Sequence, residues 1–285
     1  MGRVKRVFTF NLMGGNQMAK FIQLSDLHIR KSNGKEENGN CEKIVKHIIN
    51  KYSDDKPVVL LTGDIVDDGR AEQYKNAVNI LKPLVDNNFT VLASPGNHDY
   101  GPMGNFYTEV SQRNFQNYIL CELLGNQEAQ KAGVKMEDLY PMVTVVDDVI
   151  FIGIDSVVGA EDQFMHFASG EVGDEQREKL KDILRSQKDS GKKIVSFFHH
   201  HPFNRKFVLE LDDSKEVMKI LTGNVDVLCF GHDHKSEVWS SMHNIDWIFA
   251  SGKSTRRNKN YKFQFREVAI DGDDNNVAMV TFKRD

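Results

Sequence analysis

Cysteine is scarce in this chain. Cys41, Cys121 and Cys229 are the only three among 285 residues, odd in number and far apart. That excludes a disulfide framework, and the spacing excludes a cysteine-rich structural zinc site. It suits a reducing compartment, so the expectation is a cytoplasmic protein, with Cys229 in "VDVLCF" a core residue. Long apolar runs are also absent. No stretch approaches the roughly 18 residues that span a bilayer, so no membrane partner is expected. The N-terminal "MGRVKRVFTFNLMGG" has basic and then apolar residues, but Thr9 and Asn11 interrupt it and no clear small-residue cleavage site follows. Residues 1–17 read as an N-terminal extension, with Met18 opening "MAKFIQLSDLH". An excess of one charge is missing as well: 37 Lys and Arg against 41 Asp and Glu give a net charge of -4. Such a chain has no global field to draw in nucleic acid or an anionic membrane. Low-complexity linkers and internal repeats are absent, so residues 18–285 are expected to form a single domain.

What is present alternates. Apolar, β-branched runs occur at "KFIQLS", "PVVLLTG", "FTVLASPG", "VIFIGIDS", "KIVSFF", "VDVLCFG" and "DWIFASG". Their hydrophobicity is continuous rather than alternating, as in strands covered on both faces. Amphipathic helices lie between several of them. "CEKIVKHIINKY" puts Ile44, Val45, Ile48 and Ile49 on one stripe, and "DEQREKLKDILRSQKD" groups Leu180, Ile183 and Leu184 behind an acidic first turn. The order strand, helix, strand predicts an α/β layered fold. Residues 102–140 are the least regular part, with a helix predicted at "NFQNYILCELLG", and read as a cap insertion over the sheet edge. The tail reads as a closing hairpin around "DGDDNN".

Polar side chains of metal-ligating type follow five of these runs: Asp26 and His28; Asp64; Asn97, His98 and Asp99; His199, His200 and His201; and His232, Asp233 and His234. Strand ends on one edge of an open α/β sheet converge, and ligand sites form there. In Asp-x-His and His-x-His, alternate residues of an extended segment point the same way and can reach one centre. The oxygen and nitrogen donors, with no thiolate, suit Mn, Fe, Zn or Ni. There are too many donors for one ion, and two ions bridged by a carboxylate would use them.

Taken together, "DLH", "GDIVDDG", "GNHD", "HHHP" and "GHDH" resemble the blocks of the calcineurin-like metallophosphoesterase family, over roughly Lys20 to Gly252. The segments between blocks look closest to its bacterial class III cyclic-nucleotide phosphodiesterase and glycerophosphodiesterase branch. The resemblance implies a four-layer α/β/β/α sandwich of two stacked mixed sheets, with a dinuclear centre at the C-terminal strand edge. It implies two metal ions (Mn2+, Fe2+ or Fe3+, or Zn2+), one held by Asp26, His28, Asp64 and His234, the other by Asp64, Asn97, His200 and His232. His200 is selected because the family ligand stands two residues before proline, here Pro202; the third histidine departs from the usual pair and admits a shift of one. His98 would contact phosphate and protonate the leaving oxygen, with Asn97 and His201 also toward substrate. The implied reaction is hydrolysis of a small phosphodiester (a cyclic nucleotide, a glycerophosphodiester or a nucleotide) by in-line attack of a metal-bridging hydroxide.

Rival readings are a phosphomonoesterase or protein phosphatase of the same family, and a non-catalytic metal-stabilised interaction module. Protein phosphatases carry Asp-Arg-Gly and Asn-His-Glu where this chain has "VDDG" and "NHD". A family nuclease carries a longer C-terminal region than the roughly fifty residues after "GHDH". His47, His166 and His243 match no block and read as ordinary histidines. Asp67 and Asp68 read as caps of the helix after Gly69, Asp99 as a loop-holding acid and Asp155 as a buried structural acid. "SGKST" is not a phosphate-binding loop, because Trp247 stands where that motif needs glycine. Arg256 and Arg257 in "STRRNKN" read as a solvated loop. Phe106, Tyr107 and Phe115 are candidates for stacking on a base.

Overall fold

The computed structural model of the protein describes residues 19–31, 36–157, 169–203, 209, 211–256, 261–270 and 276–283. The extension 1–17, His166, Arg257 and the turn of the C-terminal hairpin lie outside the described residues.

Two mixed sheets carry the fold. The first is built from β1 (Ala19–Leu24), β2 (Val58–Thr62), β3 (Val91–Ser94), β10 (Tyr261–Ile270) and β11 (Asn276–Lys283), in the order β11-β10-β1-β2-β3. The second holds β4 (Met142–Val146), β5 (Val149–Gly153), β6 (Lys193–Phe197), β7 (Val227–Phe230), β8 (Glu237–Met242) and β9 (Ile245–Ala250), in the order β4-β5-β6-β7-β9-β8. β1, β2 and β3 run parallel, as do β5, β6, β7 and β9. β4 and β8 close the second sheet as antiparallel edges.

The period-two side-chain pattern of each strand decides which layer its residues join. Phe21, Val58, Leu60 and Val268 of the first sheet meet Val149, Phe151, Val195, Phe197, Val227, Cys229 and Phe249 of the second in one buried layer. Their neighbours Ile22, Leu24, Val59 and Leu61 face α1 (Glu36–Lys51) and α2 (Ala71–Asp86). On the far side Ile150, Ile152, Phe198, Leu228 and Ile248 pack against α5 (Asp174–Gln187) and α6 (Ser214–Leu221). The layers are therefore α/β/β/α. Among the described residues no helix is long and apolar enough to cross a membrane.

The 102–140 segment contributes α3 (Glu109–Asn114), a π-helical continuation over Phe115–Leu123, and α4 (Met136–Leu139). Its Phe115, Ile119, Leu120 and Leu123 join the core beside α2, and Tyr118 stacks on Tyr74 at 6.1 Å. Tyr140 Oη donates to Ala93 O of the edge strand β3 at 2.7 Å. Of the aromatics considered for stacking, Phe115 is fully buried and Tyr107 is half-buried, while Phe106 is 43% exposed.

Candidate metal centre

The loops that leave β1, β2 and β7 turn sharply at the residues expected to bind. Asp26 (φ 52°), His28 (φ 44°), Asp64 (φ 52°), His232 (φ 73°) and His234 (φ 57°) all have left-handed backbones without being glycine. Each such residue costs of order 1 kcal/mol or more and persists only where its surroundings impose it. Here the surroundings are visible: Asp26 N donates to Gly63 O (3.1 Å) and His28 N to Asp64 O (2.9 Å), so the loops after β1 and β2 hold each other. The centre is also crowded. A Cβ on Gly63 would fall 2.5 Å from His199 Nδ1, and one on Gly96 would fall 2.4 Å from Asp64 Oδ1.

One donor set comprises Asp26, His28, Asp64 and His234, with ligand atoms all within 4.8 Å of one another. His234 Nε2 lies 3.1 Å from Asp26 Oδ1, and His28 Nε2 lies 3.5 Å from Asp64 Oδ2 and 4.0 Å from Asp26 Oδ1. His28 Nε2 is buried and makes no hydrogen bond, an arrangement that an ion among these oxygens would satisfy.

A second set centres on His199. Its Nδ1 lies 2.9 Å from Thr62 O, which can only accept, so Nδ1 carries the hydrogen and Nε2 the lone pair. That Nε2 lies 3.1 Å from Asn97 Oδ1, 3.2 Å from His232 Nδ1 and 3.3 Å from Asp64 Oδ2. Asn97 is fixed with its oxygen inward because Nδ2 donates to Gly104 O at 2.9 Å. His199 Nε2, Asn97 Oδ1 and Asp64 Oδ2 are acceptors facing one another in a buried site and call for a cation between them, and the backbone carbonyl behind the His199 ring is the usual outer support of a metal-binding histidine. The residues fit a second ion.

Without metal, protons partly take that place. Burial opposes charge on His199, but the Asp64 and Asp26 carboxylates prevail and raise its pKa to about 9. Burial, reinforced by His199, lowers His232 to about 3. Asp26 is pushed up by burial, yet the His234 hydrogen bond and charge bring it down to about 2. Asp64 likewise ends well below the usual carboxylate range, because His199 and His98 outweigh its burial.

His200 is not the member of the triple that reaches this cluster. Its Nδ1 lies 2.8 Å from Ser156 Oγ, and a Cβ on Gly170 would fall 2.2 Å from it. Strand parity accounts for His199: Val195 and Phe197 face the opposite sheet and His199 continues that side, while His200 follows Phe198 to the other, its ring still 4.7 Å from that of His232. Alternation through β6 was the sequence signal that points to His199. His201 turns from the centre as well, packing at 4.7 Å from Phe203, 4.6 Å from Phe230 and 6.0 Å from Trp239. His98 does belong here. Its backbone N donates to Asp64 Oδ1 (3.0 Å), and its Nδ1 donates to Asp67 O (2.7 Å), which leaves Nε2 for a ligand.

Asp67 is not a helix cap. Its carboxylate lies 3.3 Å from His28 Nδ1 and 3.0 Å from Arg30 Nη1, so one residue orients both His28 and His98. Asp68 meets Gln73 near the helix start, where Gln73 Oε1 accepts from Asp68 N at 2.9 Å. Asp99 accepts from Ile65 N (3.2 Å), Val66 N (3.0 Å) and Gly96 N (2.9 Å) and so ties two ligand loops together. Asp155 accepts from Tyr100 Oη and Val157 N inside the fold. His47 packs on Phe282 and Phe265, and His243 on Phe203. Arg256 is exposed.

Residues 19–236 match the model of the calcineurin-like phosphoesterase family. The chain is 28% identical over 235 residues to a probable glycerophosphodiester phosphodiesterase of Arcobacter nitrofigilis, covering 78% of this chain and 74% of that protein. It is 24% identical over 239 residues to a 3',5'-cyclic adenosine monophosphate phosphodiesterase of Haemophilus influenzae, covering 80% and 74%. Among solved structures, a dimetal phosphatase from Danio rerio superposes with a TM-score of 0.61 at 14% identity, covering 93% of this chain and 99% of that one; at that identity the likeness is one of fold. Fold and family match agree, and the chain belongs to the calcineurin-like phosphoesterase family and is a metal-dependent phosphoester hydrolase.

Proposed function

We propose that this enzyme is a phosphodiesterase acting on a small diester, with two ions held by Asp26, His28, Asp64 and His234 and by Asp64, Asn97, His199 and His232. The observation that carries this reading is the position of Asp64, whose Oδ2 lies 3.5 Å from His28 Nε2 and 3.3 Å from His199 Nε2. A carboxylate between two imidazole lone pairs is placed to be shared by two cations. The donor chemistry favours Mn, Fe or Zn. Three free cysteines, two of them buried, support a cytoplasmic setting.

When bound, such ions acidify coordinated water and neutralise charge on phosphoryl oxygens. The residues of the chain do the rest. Asp26 and Asp64, ionised through the neutral range, present oxygens without a protonation cost. Thr62 O holds the His199 ring in the tautomer that points Nε2 inward, and the Asp67 carboxylate, 3.3 Å from His28 Nδ1, stands behind the His28 ring. His98, held through Nδ1 by Asp67 O, presents Nε2 at the mouth of the centre, where its protonated form donates to a leaving oxygen. A Cβ on Gly104 would fall 2.8 Å from that Nε2, so the cap turn borders the reacting position. Exposed Met103 and Phe106 in this turn supply an apolar rim for the leaving group.

The phosphodiesterase names of the two bacterial relatives support the diester over the monoester. The test compares hydrolysis of bis(p-nitrophenyl) phosphate and p-nitrophenyl phosphate by Mn2+-reconstituted protein. Diester turnover well above monoester turnover is expected. The reverse makes it a phosphomonoesterase, and no turnover of either with any metal makes it a binding module.

A further inference from the structure

We propose that Lys253 is a phosphate-binding residue of this centre, its ammonium taking a non-bridging phosphoryl oxygen of substrate and product. The inference rests on the phosphoesterase reading above.

The placement comes from the backbone. β9 runs parallel to β7 and ends at Ala250, so the following turn is a further strand end on the edge that carries the donors. That turn is pinned between two donor-bearing loops. A Cβ on Gly252 would fall 2.9 Å from His234 O. Ser254 N donates to Ser25 O (2.9 Å), Ser25 N donates to Ser254 Oγ (3.0 Å), and Thr255 Oγ1 donates to Leu27 O (2.8 Å). Asn40 of α1 closes the far side by donating to Thr255 O at 2.7 Å. Lys253 thus stands between the loop of Asp26 and His28 and the loop of His234, in a turn that cannot swing away.

The charge needs a partner. Lys253 is half-buried, and burial lowers its pKa while the nearby Asp26, Asp64 and Asp67 carboxylates work against that. Its charge is felt in turn at His28. Yet among the described residues its ammonium makes no ion pair, since Asp26 and Asp64 face the histidines and Asp67 is engaged by His28 and Arg30. A partly desolvated ammonium is costly unless an anion meets it. With both carboxylates spent on cations, the group that fits beside Lys253 is a ligand oxyanion. Exposed Arg256 adds positive charge to the approach.

The test uses full-length Mn2+-loaded wild type, Lys253→Gln and Lys253→Arg, with orthophosphate as the probe in calorimetry. Metal content and bis(p-nitrophenyl) phosphate turnover are measured in parallel. Lys253→Gln should keep two ions and bind orthophosphate roughly ten- to a hundredfold more weakly, the worth of a charge-assisted hydrogen bond. Lys253→Arg should recover most of that loss. Diester turnover by wild type with equal orthophosphate affinity in Lys253→Gln overturns the Lys253 assignment alone. Lys253-dependent orthophosphate binding by a protein that hydrolyses no phosphoester sinks the enzymatic reading and leaves the binding assignment standing. If Lys253→Gln loses metal, lysine Nζ resonances of Zn2+-loaded wild type decide: one should shift with orthophosphate, and none shifting overturns the proposal.

Discussion

Replacing His199 and His200 by alanine, one at a time, tests the second donor set. His199 Nε2 is one of four donors around that position, and its Nδ1 satisfies Thr62 O. Loss of an outer support alone weakens metal binding about 10- to 100-fold, so loss of the donor should exceed the upper figure. That is more than ~2.8 kcal/mol, at about 1.4 kcal/mol per tenfold. Thr62 O also loses its bond, worth about 1 kcal/mol of stability. His200→Ala loses the contact to Ser156 Oγ at 2.8 Å and the packing of a fully buried ring, a cost of roughly 2 kcal/mol in stability. It leaves all four donors in place. Mass-spectrometric metal content after gel filtration, Mn2+ calorimetry and diester turnover read both variants. His199→Ala should bind one ion tightly and lose nearly all turnover, while His200→Ala keeps two. One ion in His200→Ala with two in His199→Ala would refute the assignment and the parity argument behind it.

Three further outcomes follow from the same geometry. Asp67→Asn should weaken metal binding at the His28 position 10- to 100-fold, yet keep turnover at saturating metal, because the Asp67 carbonyl that holds His98 remains. Asp99→Ala leaves three buried N–H donors, Ile65, Val66 and Gly96, without an acceptor. At about 1 kcal/mol each it should destabilise by at least ~3 kcal/mol in urea unfolding. His201 is held down to about 4 by burial, with Lys235 adding to the effect, so its neutral form is favoured by folding. The unfolded chain protonates near 6.5 and the folded one near 4, so stability present above pH 6.5 is lost as pH falls, about 2 kcal/mol of it by pH 5. His201→Phe should reduce the slope of that part of the stability-against-pH curve measured on metal-free protein, the rest coming from groups such as His232 that are also held down; an unchanged slope would show that His201 is not a source of it.

The residue types that gather at the candidate centre, and most of their positions, were legible in the sequence. Asp26, His28, Asp64, Asn97, His98, His232 and His234 follow apolar runs whose ends converge in any parallel α/β sheet, so local order along the chain was enough to name them. The four layers followed once those blocks were matched to a family. What local order could not supply was the direction of side chains at the end of β6, where three histidines stand in a row. There the pairing of β6 with β5 and β7, and the packing of Phe197 and Phe198 into opposite layers, bring His199 Nε2 to Asn97 and Asp64 and His200 Nδ1 to Ser156. Asp67 looked like a helix cap because it precedes a helix, and only the return of the chain at Asn97–Asp99 brought His98 onto its carbonyl. Lys253 sat in a motif that fails as a phosphate loop, and the place of its turn against the Asp26 loop depends on bonds between residues more than two hundred positions apart. The sequence by itself determined which chemistry the chain can do, because ligand atoms are properties of residue types. The tertiary structure decided which side chains do it, because that depends on register and on contacts between distant strand ends.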